Sequence, residues 1–320
     1  MAVYTALDGK DIREFLSTYA LGELVSFRGI EGGIENTNYF VTTQHDDQTL
    51  QFVLTLFEEL SQDELPYFIE LCQWLSDRDI PVPYAIRNRH GVGLQRLKQR
   101  PAIIQPRFKG EHLDQQALTP AHCAAMGEVL ARFHLAGQDF YLQRQAHRGV
   151  FWWRRESRLL LPKLAPEDQA LLMDAVAEFD HLRDTHTDLP QGTIHGDLFH
   201  DNVLFNGTQI SAVLDLYNAA TAFLLYDLAI VANDWCANED GLIDRARETA
   251  LLEGYAQVRP FAPTEHAAWP VLARSAAMRF WLSRLIPWLQ ENSTQKLKDP
   301  DEMKRILLDR HERPSQLPQP

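Results

Sequence analysis

Four residues in one short stretch are of the types and spacing that could do chemistry. Between Thr193 and Asp215 the chain reads TIHGDLFHDNVLFNGTQISAVLD, which places His195, Asp197, Asn202 and Asp215 in the order H-x-D-x4-N followed by a closing aspartate. Two carboxylates and a carboxamide in this order are the set that phosphoryl transfer to a hydroxyl requires. Asp197 would accept the proton of the attacking hydroxyl, while Asn202 and Asp215 would hold Mg²⁺ against the phosphates. Hard oxygen ligands suit Mg²⁺, which keeps several waters and takes few protein ligands. The elements that must position these groups are two apolar, β-rich runs, Asn202–Phe205 and Ile210–Leu214. Asn206-Gly207 between them is a hairpin-turn signal, so the three groups sit at the ends of one hairpin.

Other readings compete with this one. Either aspartate by itself is the kind of residue that makes turns and caps, and the hairpin could be purely structural. His195, Asp197, His200 and Asp201 could also form a transition-metal hydrolase cluster, because imidazole and carboxylate together bind Zn²⁺ or Fe²⁺. That cluster leaves Asn202, the hairpin and Asp215 unexplained, whereas the phosphotransferase reading uses all three.

With those residues in view, the chain resembles the aminoglycoside phosphotransferase and choline kinase superfamily of small-molecule kinases. Within it, EGGIENTNYFV (Glu31–Val41), FVLTLFE (Phe52–Glu58) and HGDLFHDNVLF (His195–Phe205) are similar to the kinase-like homoserine kinase branch. The resemblance implies an α+β, bilobed, protein-kinase-like fold with a small antiparallel β-sheet lobe over residues 1–105 and a mainly helical lobe over 106–320. It further implies ATP in the cleft between the lobes, Mg²⁺, and L-homoserine as acceptor. Gly32, Gly33 and Asn36 belong to the loop that covers the phosphates in such kinases, and a glycine pair lets backbone amides approach an anion closely. Main-chain groups of Ile104 and Gln105, leading to Pro106, would meet adenine. His195 and Asp227 would be structural, the latter bracing the catalytic loop. The chain departs from the pattern at Thr55, where such kinases place a lysine against the phosphates. A hydroxyl supplies a hydrogen bond but no charge, and Arg28 and Lys109 are substitutes by position only. The departure leaves open a nucleotide-binding regulator without transfer chemistry, and other acceptors of the superfamily (an aminoglycoside, choline, methylthioribose) stay open beside homoserine.

Composition sets outer bounds. A chain of 320 residues, 45% hydrophobic and 23% charged, has the make-up of a soluble globular protein of one or two domains. Its formal net charge of -13 argues against nucleic acid or an anionic membrane surface as a partner. Cys72, Cys123 and Cys236 lie far apart without CxxC spacing, which reads as buried thiols of a reducing compartment. No apolar run reaches the length of a membrane span and no basic-then-apolar leader opens the chain. A cytoplasmic protein is the expectation; its oligomeric state is not legible.

Hydrophobic periodicity outlines the remaining elements. Ile12, Phe15, Leu16 and Tyr19 make an amphipathic helix over 8–20, capped at Asp8. Strands follow at Leu24–Ile30, Asn38–Thr43 and Leu50–Phe57. Ser61-Gln62-Asp63-Glu64 reads as a capping box opening a helix to about Asp77, with Leu65, Phe68, Ile69, Cys72 and Leu75 on its inner face. Glu70 on that helix reads as solvated. Thr119-Pro120 caps a helix carrying His134 on its apolar side, where a hydrogen-bonded core histidine is expected. Phe151-Trp152-Trp153-Arg154-Arg155 reads as packing between helices. Helices are expected at 166–187, around Leu228–Ala232, and over Gly241–Tyr255, Thr264–Leu289 and Asp301–Arg310. Asp234 and Trp235, at the end of the Leu228 helix, could face an acceptor, since an ammonium group needs a carboxylate or an aromatic face.

Overall fold

The computed structural model describes residues 4–31, 36–289 and 297–319. The chain separates into two compact units, residues 1–109 and 110–320, a boundary four residues beyond the one expected near Gln105.

The first unit is a five-stranded antiparallel sheet with two helices. Helix α1 (Gly9–Leu16) starts where the Asp8 carboxylate accepts the N–H groups of Lys10 (2.8 Å) and Asp11 (2.9 Å). Strands β1 (Glu23–Gly29), β2 (Asn36–His45), β3 (Gln48–Phe57), β4 (Gln95–Leu97) and β5 (Arg100–Pro106) lie in the order β1-β2-β3-β5-β4. Alternation along the strands decides which side is core. Tyr39, Val41, Phe52, Leu54 and Ile104 pack on Ile12, Phe15 and Leu16 of α1. The opposite face carries Asn38, Val53, Thr55, Ile103 and Gln105, in cross-strand rows fixed by the pairs Asn38–Thr55, Thr55–Ile103 and Val53–Gln105. Helix α2 (Leu65–Ser76) begins later than its capping box suggests. Glu64 does accept from Ser61 N–H (3.2 Å) and Oγ (2.9 Å), but those bonds close a preceding turn, and Pro66 sits at the start of the helix. Its inner face uses Leu71 where Ile69 was expected.

The second unit is mainly helical. Helices α3 (Pro120–Gln138), α4 (Val150–Leu160), α5 (Pro166–Thr185), α6 (Leu224–Trp235), α7 (Arg245–Val258), α8 (Pro263–Trp288) and α9 (Pro300–Glu312) surround two small antiparallel pairs. One pair joins β6 (Gln191–Ile194) to β9 (Ala220–Phe223), and the other joins β7 (Val203–Asn206) to β8 (Gln209–Val213). The β7–β8 hairpin closes through Gly207 and Thr208, with Gly207 at φ +60° as the turn requires. Trp153 of the aromatic cluster packs on Phe179 (ring centroids 4.7 Å apart) and Tyr226 (5.8 Å), so its role is packing. All three cysteines are free and buried. Among the described residues no helix is long and apolar enough to cross a membrane.

Two features lock the helices together. Arg310 of α9, 1% exposed, donates from Nε to Asn233 Oδ1 (2.8 Å) and from Nη1 to Glu248 and to Ser315 Oγ (3.0 Å). A buried guanidinium is tolerable only with such partners. Helices α3 and α7 meet through main chain: a Cβ on Gly127 would stand 2.2 Å from Leu251 O, and one on Gly254 would stand 2.4 Å from Ala124 O. Overpacking of this kind costs about 1–3 kcal/mol. Gly127→Ala should therefore lower the unfolding free energy, measured by denaturant titration, by that much, whereas Gly91→Ala, whose Cβ would meet nothing within 4 Å, should lose only the smaller backbone strain of its positive φ.

Candidate active site

The central residues are held from beneath by a single buried carboxylate. Asp227, in the first turn of α6 and 0% exposed, accepts the N–H of His195 at 2.8 Å and the N–H of Gly196 at 2.8 Å. His134 Nε2, from α3, lies 3.1 Å from the same group, and His134 Nδ1 lies 2.7 Å from Tyr255 Oη of α7. Because Asp227 can only accept, the network assigns the His134 proton to Nε2 and leaves Nδ1 to accept from the tyrosine hydroxyl. Burial pulls the His134 pKa down, in keeping with a neutral ring. Burial pushes Asp227 up, but the bonds from His134 and the Gly196 amide outweigh it and hold the carboxyl below the usual range. Gly196 is at φ +76°, and a Cβ there would stand 2.8 Å from Asn218 O, so both conformation and space require glycine.

Above this anchor the loop closes on itself. His195 Nδ1 accepts the Asp197 N–H at 3.3 Å, and His195 Nε2 donates to Leu214 O at 2.8 Å. Leu214 N–H donates to Asn202 O at 2.8 Å, and Asn202 Nδ2 donates to Asp197 O at 2.9 Å. These four bonds form a ring that runs through His195, Leu214, Asn202 and Asp197. Asp215 follows Leu214 directly and takes the left-handed conformation (φ 58°, ψ 55°), a departure costing about 1–2 kcal/mol that aspartate tolerates better than most residues. The ring thus gathers the three chemistry-bearing groups into one neighbourhood. With Nδ2 engaged on Asp197, the Asn202 Oδ1 is the atom left to face a cation. Asn202 Oδ1 and the Asp215 carboxylate are two hard oxygen donors, a number and kind that fit Mg²⁺. The Asp197 side chain is 27% exposed, and the Nη1 of Arg279 on α8 lies 3.6 Å from its Oδ1.

The transition-metal cluster is not assembled. His195 has both nitrogens engaged, His200 Nδ1 lies 2.7 Å from Asp234 Oδ2, and Asp201 pairs with Lys298 at 3.2 Å. Among the described residues no group of three His, Cys, Asp or Glu could hold a metal ion.

The two acceptor candidates at the end of α6 have inward roles. Asp234 Oδ2 accepts the His200 N–H (2.7 Å) and pairs with the His200 ring. Trp235 is 0% exposed and donates its indole N–H to Leu198 O at 3.2 Å, which leaves no face for an acceptor. Both brace the loop between Asp197 and Asn202 from below.

On the sheet of the first unit, Gly32 and Gly33 lie outside the described residues. Asn36 opens β2 opposite Phe57. Thr55 is buried, and its Oγ1 donates to Asn38 Oδ1 at 2.7 Å. That bond turns the two Nδ2 donors of Asn38 outward from the pair, a feature the sequence did not signal. The Ile104 carbonyl accepts the Ile86 N–H (2.8 Å), and Gln105 is 8% exposed in the row with Val53. Arg28 stacks toward the Phe40 ring at 5.8 Å, and Glu70 pairs with Arg87 at 3.3 Å, so it is not simply solvated.

Sequence reasoning missed Arg279 and Tyr226. Arg279 is 4% exposed. Its signal was a single charge in the apolar run SAAMRFWL (275–282), which period analysis absorbs into a packing helix.

Comparison with known proteins shows the family and the fold. A model of the phosphotransferase enzyme family matches residues 26–261. The chain is 44% identical over 286 residues to a homoserine kinase of Pseudomonas aeruginosa (strain LESB58), covering 89% of each chain. It is also 44% identical over 309 residues to a homoserine kinase of Methylobacillus flagellatus, covering 96% of this chain and 94% of the relative. Among solved structures it is similar to amicoumacin kinase hAmiN in complex with AMP-PNP, Ca²⁺ and Ami (TM-score 0.67, 16% identity, 96% and 93% of the two chains). A choline kinase of Cryptosporidium parvum Iowa II gives a TM-score of 0.65 at 15% identity, covering 95% of each chain. At those identities the structural likeness establishes the fold, which is that of the protein-kinase-like small-molecule kinases.

Two outcomes follow from the anchoring network. Asp227→Asn keeps the shape but turns an N–H₂ toward a donor, and should destabilise the protein by about 1–3 kcal/mol in denaturant titration. His200 is partly buried, which by itself lowers its pKa, yet the bond to Asp234 raises it above the ordinary 6.5. The stabilisation from that pair is fully present below 6.5 and lost as pH rises through the folded value. The difference in unfolding free energy between the native protein and His200→Gln should therefore be largest in mildly acidic buffer and shrink toward alkaline pH.

Proposed function

The chain belongs to the phosphotransferase enzyme family, and on that footing we propose that it transfers the γ-phosphoryl group of ATP to the hydroxyl of L-homoserine, giving O-phospho-L-homoserine and ADP. The observation that carries this reading is the ring of four hydrogen bonds that sets Asp197 and Asn202 beside Asp215, in a chain 44% identical to homoserine kinases over most of its length.

Asp197 orients the acceptor hydroxyl and takes its proton as the oxygen attacks the γ-phosphorus in line. Its main chain is fixed at both ends, by N–H to His195 and by C=O to Asn202, so the carboxylate meets the hydroxyl without a reorganisation step. Asn202 Oδ1 and the Asp215 carboxylate would hold Mg²⁺, which would supply charge neutralisation at the phosphates. The nucleotide falls to the first unit: we assign Gly32, Gly33 and Asn36 to the phosphates and main chain at Ile104 and Gln105 to adenine. The Thr55–Asn38 bond offers neutral amide donors where related kinases carry a lysine. ATP as donor, together with three buried free thiols, fits a reducing, ATP-rich compartment, the cytoplasm.

The test is an ADP-release assay over homoserine, choline, aminoglycosides and methylthioribose. Homoserine should be the acceptor that drives turnover; a different preferred acceptor would overturn the substrate, and acceptor-independent behaviour would point to a regulator. Asp197→Asn should lower kcat by about 10²–10⁴-fold, the usual worth of a general base, while ATP binding measured by calorimetry persists.

A further inference from the structure

Arg279 is a buried cation whose bonding is incomplete. It is 4% exposed, its Nη1 makes no hydrogen bond, and its nearest anion is Asp197 Oδ1 at 3.6 Å, too long for one. Arg259, Arg274 and Arg310, buried or half-buried in the second unit, each bond a carboxylate directly, although Arg310 Nη2 also stands without a partner. Arg259 meets Glu265 at 3.0 Å, Arg274 meets Glu178 at 2.7 Å, and Arg310 has three partners. A guanidinium removed from water costs several kcal/mol unless its donors are used, so an unused donor at the base calls for a ligand that completes it.

Tyr226 belongs to the neighbouring helix α6. It is 9% exposed and its hydroxyl has no hydrogen-bond partner; burial raises its pKa, with the charges of Arg279, Asp227 and Asp197 acting on it in smaller measure. The residue is also adjacent in sequence to Asp227, so its main chain is fixed with the loop anchor. Arg279 lies over the Phe280 ring, with its Cζ 3.7 Å from the centroid, a contact that helps hold the guanidinium in place. A guanidinium nitrogen and a phenol, both desolvated and both lacking hydrogen-bond partners, are two donors of the kind a carboxylate takes. The proton-accepting carboxylate lies within a side chain's width of the guanidinium.

We propose that Arg279 and Tyr226 bind the α-carboxylate of the amino-acid acceptor, and so select a zwitterionic alcohol over a cationic or neutral one. This rests on the homoserine reading above. That acceptor carries a hydroxyl and a carboxylate a few bonds apart, which matches a proton acceptor and a carboxylate receptor a few ångströms apart. The γ-phosphate is the other anion in reach of such a pair. The groups assigned to the phosphates, however, are the Mg²⁺ that Asn202 and Asp215 would hold and the amides of the sheet, whereas Arg279 and Tyr226 come from α8 and α6, with Arg279 beside Asp197.

The test compares L-homoserine with 3-aminopropan-1-ol, which is the same alcohol without its carboxylate, in the native enzyme and in Arg279→Gln, Arg279→Lys and Tyr226→Phe. Expected is a loss of at least about 30-fold in the ratio of kcat/KM values, homoserine over aminopropanol, for Arg279→Gln, since removing one partner of a desolvated charge pair is worth at least that. Arg279→Lys should restore part of the ratio, Tyr226→Phe should lower it several-fold, and KM for ATP should change little in all three. An unchanged ratio in an Arg279 variant that still turns over would overturn the assignment, as would a rise in KM for ATP with the ratio intact, which would place Arg279 on the phosphate. Should Arg279→Gln not fold, the lysine and phenylalanine variants decide the matter. A native enzyme inactive on homoserine fails at the earlier step and removes the premise; a native enzyme active on it whose variants keep the ratio fails at this step only.

Discussion

One buried carboxylate sets the geometry of the second unit. Asp227 has no contact with solvent, yet it receives two main-chain N–H groups from the loop and one imidazole N–H from α3. In a low-dielectric interior such charge-assisted bonds are strong, and an unmet donor is expensive. The chain therefore cannot reach its core without also placing His195 and Gly196. Because His195 then bridges Asp197 to Leu214, folding the helical core and assembling the reactive loop are the same event.

The loop shows how side-chain identity does work that the backbone alone could not. His195 is flanked by an acceptor at one nitrogen and a donor at the other, so neither a lysine nor an asparagine of similar polarity could span the same gap. Asn202 braces the loop through its amide nitrogen, which ties down Asp197, and its oxygen is left for the Mg²⁺ proposed above. Asp215 sits in a left-handed conformation, where backbone strain is tolerated because the surrounding bonds over-determine it.

Much of this was legible in the sequence, and what was not has a physical reason. The hairpin, the Asp8 and Thr119 caps and the core placement of His134 follow from local chemistry at short spacing, which sequence displays directly. The start of α2 was misplaced because Ser61 and Glu64 form the bonds of a capping box one turn too early, ahead of Pro66. Asp234 and Trp235 were read as facing an acceptor because carboxylate and indole are common recognition groups. Their orientation depended on His200 and Leu198, residues more than thirty positions away. Arg279 was invisible for the same cause in stronger form: its meaning comes from Asp197, in a different element and far off in sequence.

The seam between α3 and α7 has a reach beyond its own stability. Gly127 lies two turns before His134 on one helix, and Gly254 immediately precedes Tyr255 on the other. Main chain presses on main chain there, so the two helices cannot slide or rotate to absorb added bulk. The relay from Tyr255 to His134 to Asp227 to Gly196 inherits its alignment from that rigid joint. The glycines act as a machinist's datum: parts with no reactivity of their own, from which the position of the His195–Asp197 loop is measured.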